Sequence, residues 1–426
     1  MKSIFIIIIA AASFLTSCKT EKPTLPTLVS TAGATAAGPY FTNDNKGNPV
    51  LCWTEQDGKD SLFRLKYAVY NVQTNTFNQP VTVPASAGSS NSAESMAKVA
   101  FKSDGTVVAL FAKRFPAEKN PFAGAIYYST SGDDGRTWSE VQYLHSDTAH
   151  AYGRSFFDVA VLKDGELAAV WLDGRYAKEI KGSALFFART EKGKGFGLDT
   201  CLEKGTCECC RTDLFADKEG NLHLAYRNIM YPSVLSGKQV RDMVYKLSKD
   251  NGKSFTTPKT ISNDNWEIEG CPHSGPSIAR TQAGTNALWF TAGGGAGLYY
   301  TVSKGLGGDF NNRKLISASG RHPQMTALKD GTLAMVFEEM AAAEPPHDMK
   351  MDHSKGGMKM SHGPAASAKV VLKIVSNGEV EKSIAMTNGD LSDNHAVLTE
   401  TDKGLLVSWV REGHKGAEIY YTMVKP

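Results

Sequence analysis

Short apolar runs alternate with polar turns along almost the whole chain, and segments with a 3.6-residue apolar period are nearly absent. One unit recurs: a polar turn that ends in glycine, followed directly by an apolar strand, as in "SDGTVVALF", "KDGELAAVW" and "KDGTLAMVF". Short apolar runs bounded by such turns are typical of β-strands rather than helices. The pattern therefore predicts an all-β protein.

The unit occurs seven times, and each copy is followed by a second strand of similar character, such as "IYYSTS" or "LYYTVS". The turn glycines are Gly47, Gly105, Gly165, Gly220, Gly284, Gly331 and Gly404. Repeated short strands at this spacing are the signature of a β-propeller with one four-stranded sheet per repeat. We predict seven blades, with six as the alternative if one copy is an excursion. The last copy is one strand short, and residues 26–31 could supply that strand and close the ring.

Two turns carry a finer pattern, "SGDDGRTW" at 131–138 and "SKDNGKSF" at 248–255, with a degenerate copy at 303–310. They fit Ser-x-Asp-x-Gly-x-x-aromatic, which resembles the Asp-box, or BNR repeat, of the sialidase superfamily. In such a turn the aspartate accepts backbone hydrogen bonds and the glycine permits a positive φ, while the aromatic packs between sheets. The resemblance implies a sialidase-like propeller over most of residues 35–426. It implies no activity, because the box is structural.

The N-terminus predicts the compartment. Lys2 precedes an apolar run at 4–15 that is too short to span a bilayer. The run ends in "LTSC", which resembles the lipobox of bacterial lipoproteins and implies a signal peptide at 1–18 and lipidation of Cys18. An ordinary secretory signal is the alternative. The resemblance, with Lys19 after the cysteine, favours a lipid anchor in the outer membrane of the cell envelope.

Beyond the anchor, residues 19–30 are expected to be a tether and 31–426 one propeller domain. The net charge is only +3, so charge gives no indication of a nucleic-acid partner.

Equal offsets from the turn glycines sample equivalent positions on the innermost strand of each blade, whose start should line the central opening. Copies four to seven place cysteines and histidines there: Cys209, Cys210, His273, His322 and His395, with Cys207 and Cys271 close by. Thiolates and imidazoles suit Cu(I) or Zn(II), so we predict a metal site at this rim, with copper favoured and zinc possible. In an extended segment Cys207 and Cys209 would share one face and Cys210 would turn away.

Disulfides are the alternative use of these cysteines, because a lipoprotein lies in an oxidising compartment. Six cysteines follow Cys18: Cys52, Cys201, Cys207, Cys209, Cys210 and Cys271. An even number allows complete pairing, although the sequence does not define the partners. Disulfides, metal ligation and a mixture of both stay open, and a bridge to Cys271 would hold the same rim.

The longest spacing between turn glycines contains residues 344–368, which show no β pattern and are predicted to be a disordered insertion. The insertion contains His347, Met349, Met351, His353, Met358, Met360 and His362. Thioether sulfur prefers Cu(I), and imidazole also binds Cu(II). The composition resembles the Met/His-rich stretches of periplasmic copper-resistance proteins, which implies capture of copper. A linker without a function is the alternative.

The sialidase resemblance also implies a chemistry that can be sought. Enzymes of the superfamily use three arginines for the substrate carboxylate, a tyrosine nucleophile activated by a glutamate, and an aspartate acid/base. The stretch "GPYFTND", where an early arginine is expected, has none. Candidate residues near strand ends are Arg114, Arg154, Arg175, Arg211, Arg227, Arg321 and Arg411, with Glu94 and Asp158 as acidic groups.

No complete catalytic set can be assigned from these residues. Three hypotheses result: an envelope protein that binds a soft metal ion, an exo-sialidase-like glycoside hydrolase that acts on a glycan, and a non-catalytic propeller that docks an envelope protein partner.

Overall fold

The computed structural model describes residues 25–232, 237–270, 272–341, 367–413 and 416–425. Within these residues the regular secondary structure is β-strand, apart from one short 3-10 helix at Pro84–Ser86. In this described part, no helix has the length and apolar character needed to cross a membrane.

The strands follow one another as antiparallel sheets along the chain. In chain order they are β1 (Thr27–Leu28), β2 (Ala36–Asn43), β3 (Pro49–Gln56), β4 (Phe63–Asn71), β5 (Thr76–Phe77), β6 (Val81–Thr82), β7 (Lys98–Phe101), β8 (Val107–Arg114), β9 (Gly124–Ser131), β10 (Gln142–Tyr143), β11 (Arg154–Val161), β12 (Leu167–Asp173), β13 (Ser183–Arg189), β14 (Thr200–Thr206), β15 (Asp213–Ala216), β16 (Leu222–Met230), β17 (Val240–Ser248), β18 (Lys259–Thr260), β19 (Ser277–Thr281), β20 (Gly284–Thr291), β21 (Gly297–Val302), β22 (Lys314–Ser317), β23 (Gly320–Ala327), β24 (Leu333–Met340), β25 (Ala368–Ser376), β26 (Glu379–Ala385), β27 (Ser392–Thr401), β28 (Gly404–Gly413) and β29 (Gly416–Val424).

These strands form seven blades. Blade 1 contains β2–β6, blade 2 β7–β10, blade 3 β11–β14, blade 4 β15–β18, blade 5 β19–β22, blade 6 β23–β26, and blade 7 β27–β29 with β1. One residue pair, Thr206–Asn228, joins blades 3 and 4 into one hydrogen-bonded sheet, and another, Ala368–Ser392, joins blades 6 and 7. The innermost strand of each blade contacts those of both neighbours, and β27 of blade 7 contacts β2 of blade 1. This ring of contacts confirms the predicted all-β propeller and favours seven blades over six.

The ring is closed by β1, which supplies the strand that the last repeat lacks. Thr27 pairs with Tyr421, and Leu28 pairs with Tyr420. Just beyond β1, the backbone N–H of Ile419 donates to Ser30 Oγ at 3.0 Å. The segment 26–31 therefore acts as predicted, and Thr27–Leu28, inside the expected tether, is a strand. Ala368, the last residue of the predicted insertion, likewise begins β25.

Buried tryptophans at equivalent positions on the second strands pack the blades together. Trp53, Trp171, Trp289 and Trp409 are each fully buried. Each indole N–H donates to a carboxylate near the mouth: Glu55, Asp173, Asp264 and Asp393, respectively. A buried indole needs such an acceptor, so core packing and acidic groups at the mouth are coupled in four blades.

The two Asp-boxes have the same hydrogen-bonded geometry. Asp133 accepts from the N–H of Thr137, and Asp250 accepts from the N–H of Ser254, both at 2.9 Å. The boxes follow the third strands of blades 2 and 4. Because strands alternate in direction, these turns lie at the end of each blade opposite the start of its innermost strand. The boxes are therefore remote from the mouth, and the site must be sought where the innermost strands begin.

Candidate metal centre

Four innermost strands are bulged at the same place near the mouth. The pairing register shifts at this point in β2, β11, β23 and β27. Inside these gaps lie Gly38, Phe156, His322 and His395, with φ of 64°, 54°, 44° and 49°. A bulge re-aims side chains. A left-handed conformation costs a non-glycine residue about 1–3 kcal/mol and is concentrated at functional sites. These positions are nine residues before the turn glycines, as the repeat alignment requires.

Three thiols meet in the bend between β14 and β15. The Sγ atom of Cys207 lies 3.9 Å from that of Cys209 and 3.6 Å from that of Cys210. All three cysteines are buried, and Phe156 packs against them. The expectation that Cys210 turns away is wrong, because residues 208–209 form a bend rather than an extended segment. We call Cys207, Cys209 and Cys210 the thiol cluster.

The guanidinium group of Arg241 lies beside the thiol cluster and favours negative charge on its sulfurs. Arg241 Nη1 lies 3.2 Å from Cys207 Sγ and 2.7 Å from Glu208 Oε2. Hydrogen bonds with the Cys209 and Cys210 thiols, aided by the Arg241 charge, hold the pKa of Cys207 well below its usual range. Burial raises the pKa of Cys210 to about 12. The surroundings therefore favour the thiolate form of Cys207 and the protonated form of Cys210.

Two other cysteines lie apart from the thiol cluster. Cys52 is fully buried in the core shared by blades 1 and 2, and Cys201 is partly buried on β14. Among the described cysteines, Cys52, Cys201, Cys207 and Cys210 form no disulfide. Cys271 lies outside the described residues, so pairing that involves it stays a prediction.

A second cluster joins side chains from three blades. Glu94 precedes β7 in blade 2, His322 lies on β23 in blade 6, and His395 lies on β27 in blade 7. Glu94 Oε1 is 3.9 Å from His322 Nε2 and 4.0 Å from His395 Nε2. The two imidazole rings stack with their centroids 4.3 Å apart. We call these three residues the His–Glu cluster.

Each imidazole of the His–Glu cluster has an oxygen partner at its other nitrogen. His322 Nδ1 is hydrogen-bonded to Glu338 Oε1, and His395 Nδ1 lies 2.8 Å from Asn394 Oδ1. Burial opposes protonation of His322, but the Glu338 and Glu94 carboxylates outweigh it and raise the pKa of His322 to about 9. Burial and the neighbouring His322 charge lower the pKa of His395. The pair therefore carries one positive charge between two carboxylates.

Arg211 connects the two clusters. It follows Cys210 directly in the chain, and its Nη1 lies 3.3 Å from Glu94 Oε1. Its Nη2 donates to the Pro323 carbonyl oxygen at 2.7 Å, beside His322. Arg211 and Glu94 are both buried. The clusters are thus neighbours at one mouth, separated by an arginine side chain.

The cysteines and histidines that were predicted to share one rim therefore form two separate groups. Cys207, Cys209 and Cys210 form one potential metal-binding group, and His322, His395 and Glu94 form another. His273 belongs to neither group and is exposed. It lies in the loop before β19, four residues ahead of the strand. Counting back from the turn glycine predicts the place of a residue within the strand, but not in the loop before it.

Other predicted site residues lie outside the described residues, and predictions about them stay untested. They are Cys18, Cys271 and the members of the Met/His insertion: His347, Met349, Met351, His353, Met358, Met360 and His362.

The candidate arginines of a sialidase site have other partners. Arg154 and Arg175 both pair with Asp173, and Arg411 pairs with Asp393. The rest are engaged as follows: Arg227 donates to three backbone carbonyls, Arg211 binds Glu94, Arg321 stacks on Phe290, and Arg114 lies over Phe122. Each of these seven arginines therefore has a partner within the protein, and these contacts do not single out three of them as a triad for a substrate carboxylate.

Acidic side chains also line the propeller axis below the mouth. Asp158, a sequence candidate for an acid group, forms a buried ion pair with Lys98 at 2.9 Å. Asp213, at the start of β15, accepts a hydrogen bond from the N–H of Ile278 at 2.6 Å. Burial, followed by repulsion from Asp158, raises the pKa of Asp213 to about 7. The pair Lys98–Asp158 is structural, whereas Asp213 can titrate near neutral pH.

Sequence reasoning missed Glu338 and Arg241 because it followed only the innermost strands. Glu338 comes from the end of β24, and Arg241 comes from the start of β17. Both ends lie at the mouth, because the second strand of a blade ends there and the third begins there. The same repeat counting, applied to second and third strands, would have found them.

No family model matches the chain, and no curated protein matches it. Among solved structures, the polysaccharide lyase Uly1 aligns with a TM-score of 0.54 at 12% identity, over 92% of this chain and 90% of that chain. The alpha-l-arabinofuranosidase arb93a from Fusarium graminearum aligns with a TM-score of 0.48 at 14% identity, over 82% and 95%. The Hadza microbial sialidase Hz136 aligns with a TM-score of 0.46 at 14% identity, over 85% and 73%. At these identities the likeness concerns the fold alone.

Proposed function

We propose that this protein binds a soft metal ion at the propeller mouth through Cys207, Cys209 and Cys210. Cu(I) is the favoured ion and Zn(II) the alternative. The observation that carries the proposal is the convergence of three buried thiol sulfurs in one bend. Thiolate sulfur is the ligand type that selects these two ions.

The spacing of the sulfurs fits a shared ion better than a sulfur–sulfur bond. Sulfurs bound to an ion at about 2.3 Å lie about 3.8 Å apart in a tetrahedral arrangement and about 4.0 Å apart in a trigonal one. The separations of 3.6 Å and 3.9 Å from Cys207 Sγ are close to these values. A disulfide needs about 2 Å, so a bridge from Cys207 would require a movement of more than about 1.5 Å.

Ligand number favours Cu(I) over Zn(II). Three thiolates around a monovalent ion leave a net negative charge in a buried place, and the Arg241 guanidinium beside Cys207 offsets part of it. Structural Zn(II) sites almost always have four ligands, whereas the described part of the chain brings three thiols together. The thioether-rich insertion, if it captures ions, would also select Cu(I).

The predictions from sequence complete this proposal. Lipidation of Cys18 would hold the protein at the cell envelope, in the outer membrane. The Met/His insertion would collect ions at high local ligand density, and the thiol cluster would retain one of them more tightly. These roles rest on residue type and on the resemblances already described.

The test is an anaerobic Cu(I) titration against a chromophoric chelator. To remove the insertion's ligands, residues 342–366 are replaced by Asn-Gly, because Ala341 N already donates to Ser367 O and a two-residue turn fits there. We expect one Cu(I) per chain and a loss of affinity of at least about a hundredfold in Cys207→Ser. Cys52→Ala, a buried cysteine elsewhere, is the control. Equal affinity in Cys207→Ser and its parent would overturn the proposal.

A second candidate function is action on a glycan. The observation that favours it is the pair His322 and His395, whose pKa values are displaced in opposite directions beside Glu94. Such divergence is typical of acid/base pairs, and the Uly1 lyase shares the fold. Incubation with a sialoside and with an acidic polysaccharide tests this candidate: a released product would support it, and the absence of product from both would remove it.

A further inference from the structure

We propose a second metal site, at the His–Glu cluster, that binds a divalent transition-metal ion of the Zn(II) and Fe(II) class. Its ligands are His322 Nε2, His395 Nε2 and the Glu94 carboxylate. The site uses none of the three cysteines, so it does not depend on the thiol cluster. Two imidazoles and one carboxylate form a donor set that divalent transition metals prefer, and it lacks the sulfur that favours Cu(I).

The three donor atoms lie slightly farther apart than they would if they bound one ion. Glu94 Oε1 lies 3.9 Å and 4.0 Å from the two Nε2 atoms. An ion bound at about 2.1 Å in a tetrahedral arrangement would hold such atoms about 3.4 Å apart. Binding therefore requires a closure of roughly half an ångström, together with a rotation of the stacked rings.

One carboxylate oxygen of Glu94 is left without a partner. Glu94 is 7% exposed, and its Oε2 atom is buried with no hydrogen-bond partner among the described residues. Burying an unsatisfied acceptor costs about 1–3 kcal/mol, and more when it is charged. Oε1 faces the two Nε2 atoms and also accepts from Arg211, so an ion that both carboxylate oxygens bound would give Oε2 its partner and remove this cost.

The histidines are oriented as metal-binding histidines usually are. The Nδ1 atoms of His322 and His395 are engaged by Glu338 Oε1 and Asn394 Oδ1, which leaves the two Nε2 atoms for Glu94. Oxygen partners of this kind fix the tautomer and the ring orientation of ligands. Glu338 also accepts from the backbone N–H of His395 at 3.1 Å, so one carboxylate positions both histidines.

Both histidines also occupy strained backbone positions in separate blades. Their φ values are 44° and 49°, in bulges of β23 and β27. Two blades thus carry the same strain at the same position, and each presents an imidazole to a shared carboxylate. Strain of this kind persists where surrounding structure over-determines it, which is typical of binding sites.

The test is a Zn(II) titration of protein with Cys207, Cys209 and Cys210 replaced by serine, so that a failure of the thiol cluster has no influence on the result. We expect a tight Zn(II) site that weakens by at least about a hundredfold in His395→Ala and in Glu94→Gln. Glu338→Gln should weaken it by about 10–100-fold. His273→Ala, which removes a histidine at the same mouth, should leave it unchanged. Equal Zn(II) affinity in His395→Ala and its parent would overturn the proposal.

A second measurement covers the case in which the triple serine variant does not fold. Wild-type protein is first saturated with Cu(I) and then titrated with Co(II), whose visible bands report nitrogen and oxygen ligands. We expect bands that Glu94→Gln removes, without the thiolate charge-transfer bands that a cysteine site would give. Bands unchanged in Glu94→Gln would contradict the assignment. The Cu(I) affinity of Glu94→Gln, measured in parallel, reports separately on the thiol cluster.

Discussion

The thiol cluster and the His–Glu cluster lie at the same mouth but are built in different ways. The thiol cluster comes from a single bend at residues 207–210 between two blades. The His–Glu cluster takes one residue from each of blades 2, 6 and 7. The first depends on local chain conformation, whereas the second depends on closure of the whole ring. The two sites should therefore respond differently to the same perturbation.

Removal of two thiols should give the largest effect and should separate the clusters. In Cys207→Ser/Cys210→Ser we expect Cu(I) affinity to fall by about a thousandfold or more, equivalent to about 4 kcal/mol. Zn(II) binding at the His–Glu cluster should change by less than about twofold. Competition titrations with each ion measure both effects. Cys201→Ser, one strand earlier, is the control, and a parallel loss of both ions would mean that the clusters form one site.

Arg211→Met should test the connection between the clusters. It leaves the buried Glu94 carboxylate with only the more distant imidazoles of the His–Glu cluster, and breaking a buried pair costs about 3–5 kcal/mol. We expect urea unfolding of the metal-free protein to show a loss of about 3 kcal/mol. Arg114→Met, at an exposed arginine, should have little effect.

The double variant Arg211→Met/Glu94→Gln completes this test. It should recover part of the lost stability, because the uncompensated charge is gone. If the double variant is as unstable as the sum of the single variants, the ion pair does not connect the clusters.

Asp213→Asn should change how stability depends on pH. The folded-state pKa of Asp213 is about 7, above its unfolded value, so its contribution is fully present below about pH 4 and is lost as pH rises through 7. The variant should gain stability relative to wild type with increasing pH, by an amount on the order of a few kcal/mol at pH 8. Thermal unfolding between pH 4 and 8 measures this difference. A constant difference across that range would show that the pKa of Asp213 is not raised in the folded protein.

Ser30→Ala should give the smallest effect, and it compares how the two clusters respond to a slight weakening of the ring closure. It removes the hydrogen bond that the Ile419 N–H donates at the ring closure, and a loss of about 1 kcal/mol is expected. The closure lies within the arc of blades 6, 7, 1 and 2, which carries the His–Glu cluster. Zn(II) affinity should therefore decrease slightly while Cu(I) affinity stays constant. An equal decrease for both ions would contradict the distinction between local and distributed sites.

The fold could be predicted because its determinants repeat. Each turn glycine marks the same point of a blade, so the seven copies also define the register of the innermost strands. That register placed His322 and His395 at equivalent bulges, and the same reasoning found β1. A repeated sequence pattern indicates the strand register because each copy has the same turn at the same point of its blade.

The site could be predicted only in part. Cys210 joins the other thiols through a bend at 208–209 that no periodic pattern indicates. His273 has a similar offset, but the loop before β19 leaves it exposed. Glu338 and Arg241 come from second and third strands, and their contacts depend on how neighbouring blades pack. Residue type and spacing therefore indicated which residues are candidate ligands, but not how those residues group in space.

X-ray absorption at the copper edge is the most direct test of whether Cys207, Cys209 and Cys210 bind Cu(I). The protein with residues 342–366 replaced by Asn-Gly is loaded anaerobically with one equivalent of Cu(I), and the first coordination shell is measured. We predict that the first coordination shell of Cu(I) consists of sulfur atoms alone. In Cys207→Ser this sulfur shell should be lost. A shell of nitrogen or oxygen, or one that is identical in Cys207→Ser, would contradict it.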